Sequence, residues 1–176
     1  MGELLDIINE HDQVIGRAER DEVHEKGLLF RMVYISFTTP DDRLILQRRS
    51  LTKKVNAGRL GMAVIGHVTS GQSYLEAAVK EAREETGLII AASELVELDR
   101  SFSSYKEGDY LSNAIRALYR YRFDGDIDNL RVEEGEALGF EVTTLDDLKV
   151  AIAENRAGYV PYLADVVEHG LLDPSH

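Results

Sequence analysis

Three carboxylates, Glu81, Glu84 and Glu85, fall within five residues of a segment that reads as a helix. Like charges crowded on one helix face repel, and such a cluster survives most readily where a cation neutralises it. At about 100° per residue, Leu75, Ala78, Val79 and Ala82 form a narrow apolar stripe that predicts the buried face. Glu81 and Glu85 stand one turn apart at the edge of that stripe. Glu84 lies further round, at i, i+4 spacing from Lys80. The expectation is that Lys80 steadies Glu84 and leaves Glu81 and Glu85 to hold a hard divalent cation, Mg²⁺ or Mn²⁺, through oxygen. Gly87 fits the C′ position that ends the helix. The plainer alternative is a solvated acidic face, and E-x-x-E-E by itself favours it.

Spacing changes that balance. The run from Gly66 to Leu88, GHVTSGQSYLEAAVKEAREETGL, resembles the Nudix box, G-x5-E-x7-R-E-U-x-E-E-x-G-U with U aliphatic. Gly66, Glu81, Ala82, Glu84, Glu85, Gly87 and Leu88 are in register. Gln72 stands where that family has its first Glu, and Lys80 where it has Arg. Gln72 lacks the charge, and Lys80 lacks the planar two-pronged donor.

The elements that must position this segment follow from the rest of the chain. Residues 4–9 and a stretch near 14–16 read as strands, and 20–26 as a short helix stopping at Gly27. His24, in that helix, reads as a solvated surface residue unless it shares in a site. Residues 28–38 form a strong apolar strand. Pro40-Asp41-Asp42 signals a turn, and 43–47 pairs back as a hairpin. Residues 61–68 read as one strand that delivers Gly66 and His67 to the box. Two antiparallel strands follow at 95–105 and 112–123, joined by KEGDYL, a candidate substrate loop. A last strand covers 140–143. A helix capped by Thr144 follows, then a final helix near 161–169 with a structural role. Strands and helices mixed in this order predict an α/β fold, an α/β/α sandwich around a mixed sheet. The resemblance implies the same architecture. The expected organisation is a single domain over 1–176, with an N-terminal extension (1–27), a core (28–155) and a C-terminal helix (156–176).

Composition narrows the chemistry. The chain has 176 residues, 44% apolar and 30% charged, which suits a globular domain. It carries 20 Lys and Arg against 32 Asp and Glu, a net charge of −12. That disfavours non-specific binding to nucleic acid or an anionic membrane. A polyphosphate substrate must then be drawn in locally. Arg48, Arg49, Lys53 and Lys54 cluster within seven residues, either as an exposed loop or as a clamp for a diphosphate, with Arg49 and Lys53 as its grip. Cysteine is absent, which excludes disulfides and thiolate chemistry. No apolar stretch suits a signal peptide or a membrane span, so a cytoplasmic protein is expected.

The Nudix resemblance implies cleavage of the pyrophosphate bond in a nucleoside diphosphate linked to another moiety, a small-molecule substrate. Such cleavage needs neutralised phosphate oxygens, a positioned water and a base. Glu81 and Glu85 are the expected metal ligands, with a backbone carbonyl at Gly66 completing them. The family also uses a Glu from a loop before the last strand. Glu136 fits that place with Glu134 in reserve, so Glu81, Glu84 and Glu136 are the catalytic candidates. Dimers are common in the family, which leaves a homodimer open.

A narrower resemblance points to the branch that includes type I isopentenyl-diphosphate isomerase. It rests on INEHDQVIGRA, EVHEKGLLFR and LQRRSLTKK. Those isomerases need a cysteine where this chain has Ile65 and a histidine where it has Phe30. Their E-N-E stretch falls on Ser112-Asn113-Ala114. Isoleucine cannot protonate a double bond. His24, Arg49, Lys53, His67 and Glu85 still match site positions of that branch, and His67 joins Arg49 and Lys53 as a substrate-binding candidate. The expectation is therefore an isomerase-like scaffold acting as a hydrolase. A non-catalytic or regulatory nucleotide-binding module and a residual isomerase are the alternatives.

Overall fold

The computed structural model describes residues 2–132 and 135–173. A two-stranded antiparallel hairpin, β1 (Leu4–Ile8) and β2 (Val14–Glu19), leads into α1 (Arg20–Lys26). The central sheet has seven strands: β3 (Leu29–Thr38), β4 (Leu44–Arg49), β5 (Leu60–Met62), β6 (Val64–His67), β7 (Val96–Glu107), β8 (Tyr110–Arg122) and β9 (Ala137–Thr143). Helices α2 (Tyr74–Thr86), α3 (Leu145–Glu154) and α4 (Pro161–Glu168) complete the fold. The sheet is mixed, because β3 and β8 run parallel over Leu29–Thr38 while the other pairs are antiparallel.

Strand periodicity explains the layers. Side chains alternate faces along β3. Phe30, Met32 and Tyr34 join one core with Leu148, Ile152, Leu163 and Val166 of α3 and α4. Val33, Ile35 and Phe37 join the other with Ala77, Ala78 and Ala82 of α2. The result is the expected α/β/α sandwich.

The sheet splits where the site lies. β3 and β4 pair only at Phe37↔Ile45 and Thr38↔Leu44. Beyond that they diverge: β6 takes the edge of β3 over Met32–Ile35, and β5 takes the edge of β4. The single strand expected over 61–68 is thus two, because the chain changes partners at Ala63. Side chains from α2 can reach through the gap this leaves.

Ser73 caps α2, accepting from the Glu76 N–H while the Glu76 carboxylate accepts from the Ser73 N–H, a reciprocal capping box. Gly87 ends the helix in the left-handed region at φ 73°, as its position predicted. The buried face is turned from the expected stripe. Tyr74 and Ala77 are buried with Ala78 and Ala82, whereas Leu75 and Val79 are only partly covered. That rotation carries Glu85 under cover.

The N-terminal hairpin clasps the box loop. Asp6 accepts from Ser70 Oγ (2.6 Å) and from the Gly71 N–H (3.0 Å), while Ser70 N donates to the Leu4 carbonyl (2.8 Å). Burial opposes charge on Asp6, but bonds from Ser70, Gly71 and Arg17 together hold its carboxyl below the usual value. A depressed carboxylate contributes stability above its unfolded value, near ~3.9, that is lost as pH falls through the lower folded value. Asp6→Asn should therefore lower the melting temperature at pH 7 by several degrees, about 1–2 kcal/mol. Melting curves across pH should show the gap from wild type closing below about pH 4.

Candidate active site

A cavity of about 270 Å³ opens at the split in the sheet. Glu81, Glu84, Glu85, Gly66, His67, Arg49, Lys53 and Glu136 all line it. Residues far apart in the chain thus share one wall: α2 brings three glutamates, β6 brings Gly66 and His67, and the loop after β4 brings Lys53.

Glu81 folds directly across Gly66. A Cβ built at Gly66 would overlap Glu81 Cγ and Cδ, so any larger residue there must displace the Glu81 side chain. Lys80 Nζ contacts Glu81 Oε1 at 3.0 Å as well as Glu84 Oε2 at 2.7 Å. The expectation that Lys80 serves Glu84 alone is corrected. The ammonium is a point donor that satisfies two neighbouring carboxylates, and Glu81 is not free. Glu81 nonetheless sits above its ordinary pKa, because burial outweighs Lys80 and because Glu84 and Glu3 repel it.

Glu85 is 8% exposed, reaching into the gap between β4 and β6. Its Oε2 accepts from Gln47 Nε2 (3.2 Å) and from the Ile65 N–H (3.4 Å). Burial, reinforced by the neighbouring Glu81 charge, pushes its pKa up to about 8. Two neutral donors at the long end of hydrogen-bond range do not offset the loss of water.

Glu136 precedes β9 and forms an ion pair with Lys53. Arg49 donates to the Val55 carbonyl (3.4 Å), while its Nε is buried without a partner. Of the four cations at the end of β4 and in the loop after it, Arg49 and Lys53 face the cavity; Arg48 turns away to Glu141 and the Gly58 carbonyl, and Lys54 is exposed. Glu134 lies outside the described residues. Gln72 Oε1 is buried without a partner, which leaves an acceptor where the family has a carboxylate.

His24 is not a solvated surface residue. It is 5% exposed, packed against Phe30 and stacked on Tyr110. Its Nδ1 lies 2.8 Å from the Leu111 carbonyl, which can only accept, so Nδ1 carries the hydrogen. Desolvation lowers the pKa of His24, and lowers that of His67 strongly. In the neutral ring Nε2 is then the acceptor, facing His67 Nε2 at 3.0 Å and the Tyr110 hydroxyl at 3.2 Å. His24 acts behind His67, fixing which of its nitrogens holds a proton. The helical period hid this, because one turn of α1 contains too few apolar residues to mark a buried side.

KEGDYL is a tight turn at Gly108-Asp109 between Glu107 and Tyr110, not an open loop. Its contribution is Tyr110, which lines the cavity. The final helix also does more than fill the core, since Tyr162 of α4 reaches the same wall. Arg116 of β8 is a further site residue that the sequence reading missed. Its signal was an arginine in phase with Ala114 and Leu118, both fully buried.

Comparison with known proteins identifies the family. Residues 29–166 match the NUDIX domain family. An isopentenyl-diphosphate Delta-isomerase of Serratia proteamaculans is 31% identical over 126 residues, covering 71% of this chain and 69% of that protein. An uncharacterized Nudix hydrolase of Clostridium acetobutylicum is 28% identical, covering 83% and 72%. An uncharacterized Nudix hydrolase of Streptomyces coelicolor is 41% identical, but over 48% of this chain and 47% of its own length. A crystal structure of a protein from Deinococcus radiodurans superposes with a TM-score of 0.76 at 28% identity, covering 95% of this chain and 98% of that one.

Proposed function

Because the chain belongs to the NUDIX domain family, we propose that it hydrolyses the pyrophosphate bond of a nucleoside diphosphate linked to another moiety, using Mg²⁺ or Mn²⁺. The observation that carries this is the pairing of Glu81 and Glu85 in the split of the sheet, one of them with a pKa pushed up to about 8. A site that forces two carboxylates together out of water suits a hard cation. Among the described residues, no three His, Asp or Glu side chains are gathered at metal-binding distances. Glu81 and Glu85 would therefore hold the ion with the Gly66 carbonyl, and substrate oxygens would fill the remainder of its shell. When bound, the cation supplies Lewis acidity, neutralising phosphate oxygens and making a nearby water easier to deprotonate.

The chain's own residues do the rest. Arg49 and Lys53 draw the diphosphate into a protein of net charge −12. Substrate phosphate competing for Lys53 frees Glu136 from its ion pair, and a freed carboxylate beside the cavity is a candidate base. Lys80 keeps Glu81 and Glu84 in place by bonding both. His67, held by His24, offers a neutral imidazole to the substrate.

The isomerase name of the Serratia proteamaculans relative does not carry over. Ile65 lines the cavity at the position where the resemblance expects an acidic thiol, and it has no proton to give. A nucleotide-diphosphate panel with Mg²⁺ or Mn²⁺, read as phosphate released by added phosphatase, tests the proposal. Turnover of at least one diphosphate, with none of isopentenyl diphosphate, is expected. A panel with no turnover alongside measurable binding would favour a regulatory module.

A further inference from the structure

Arg116 is 2% exposed yet faces the cavity. Its Nη2 donates to Ser112 Oγ at 3.3 Å, whereas Nε and Nη1 are buried without a partner. Among the described residues no carboxylate pairs with it. Asp165, which lines the cavity, binds Arg156 at 2.6 Å, and Asp99 accepts from Ser101 at 2.6 Å. The guanidinium rests between two aromatic faces, 5.1 Å from the Tyr162 ring and 5.8 Å from that of Tyr34. The Tyr162 hydroxyl is itself buried and unpartnered. Three orphaned donors thus meet at one end of a polar cavity. A buried charge left without a counter-ion is costly, and a fold tolerates it where a ligand supplies the missing charge.

The sheet fixes how far this lies from His67. Arg116 is the Cα partner of Met32, and Met32 of His67. Arg116 and His67 therefore sit two strands apart, roughly 10 Å. Resting on the hydrolase reading above, we propose that Arg116 and the Tyr162 hydroxyl form an oxyanion subsite, so that the preferred substrate carries a carboxylate or phosphate on a group attached to its diphosphate. Two guanidinium nitrogens, Nε and Nη1, remain unpartnered, and the plane that holds them fixes their N–H directions as an ammonium could not.

Binding of matched ligands, measured by calorimetry, tests this without turnover. UDP-glucuronate against UDP-glucose tests a carboxylate, and coenzyme A against dephospho-coenzyme A tests a phosphate. Wild type should bind the more anionic member of at least one pair at least ~10-fold tighter, the scale of a hydrogen bond to a charged group. The preference should vanish in Arg116→Met, with the less anionic member changed by less than about threefold, and be only partly kept in Arg116→Lys. The melting temperature of Arg116→Met should be equal to or above wild type, because an unpaired buried charge is removed. Equal binding within both pairs by wild type, which needs no variant, would overturn the subsite. So would a preference that survives Arg116→Met. A preference that vanishes in the variant while no diphosphate is hydrolysed would keep the subsite and overturn the hydrolase reading.

Discussion

Glu85→Gln should reduce turnover by at least ~10²-fold and at the same time make the metal-free protein more stable. The two effects have one origin. Without a cation, burial and Glu81 hold the Glu85 pKa at about 8. The unfolded chain releases that proton near ~4.3. For a raised acid, stability is fully present below the unfolded value and is lost as pH climbs toward the folded one. At pH 7.5 the metal-free wild type therefore carries a penalty on the order of 4 kcal/mol. Glutamine keeps the shape and can still accept from Gln47 and Ile65, but it has no charge to desolvate. Thermal melts in EDTA should place the variant several degrees above wild type at pH 7.5, with the gap closing toward pH 5. Added Mg²⁺ should reverse the order by stabilising wild type alone. A loss of only a few fold in rate would argue against Glu85 as a ligand.

Gly66→Ala should be nearly as damaging, although it removes nothing. The new methyl would overlap Glu81 Cγ, inside any real contact distance. Backbone on β6 is tied to β3 at Val33 and cannot easily yield, so the Glu81 side chain must swing away. Displacing a positioned group by about an ångström costs on the order of 10²-fold in rate, and overpacking costs about 1–3 kcal/mol of stability. Because the alanine acts through Glu81, its effect should largely disappear when Glu81 is already Gln. The double variant should be no worse than Glu81→Gln alone, a non-additivity that steady-state kinetics reads directly. Additive losses would mean that Gly66 matters for some other reason.

Much of this site is legible in the amino-acid order alone. Local spacing carries Glu81, Glu84, Glu85 and Gly87, because a helix converts sequence distance into angle. The N-cap Thr144 and the apolar run of β3 are equally local. What spacing does not encode is how elements close on one another. The buried face of α2 is set by the sheet beneath it, so Tyr74 and Ala77 displace Leu75 and Val79, and Glu85 goes inside. The break in 61–68 depends on β3 and β4 diverging, which no residue in that segment announces. His24, Tyr110, Arg116 and Tyr162 reach the site from α1, β8 and α4, across 43 to 87 residues of chain in the histidine contacts alone. Their side chains read as surface or core because the surface they share exists only after folding.

The isomerase-like features fit the same physical frame. The scaffold keeps His24, His67 and Arg49, so the outline of that branch persists. Ile65 stands where the resemblance places that branch's acidic thiol, and an isoleucine has no proton to give.

Manganese titrated into the protein and followed by its paramagnetic resonance signal tests the paired-carboxylate site most directly, with no substrate and no turnover needed. Wild type should quench the free-ion signal saturably, and Glu81→Gln/Glu85→Gln should leave it as in buffer. Equal quenching by both proteins, or none by either, would contradict a cation held between these two glutamates.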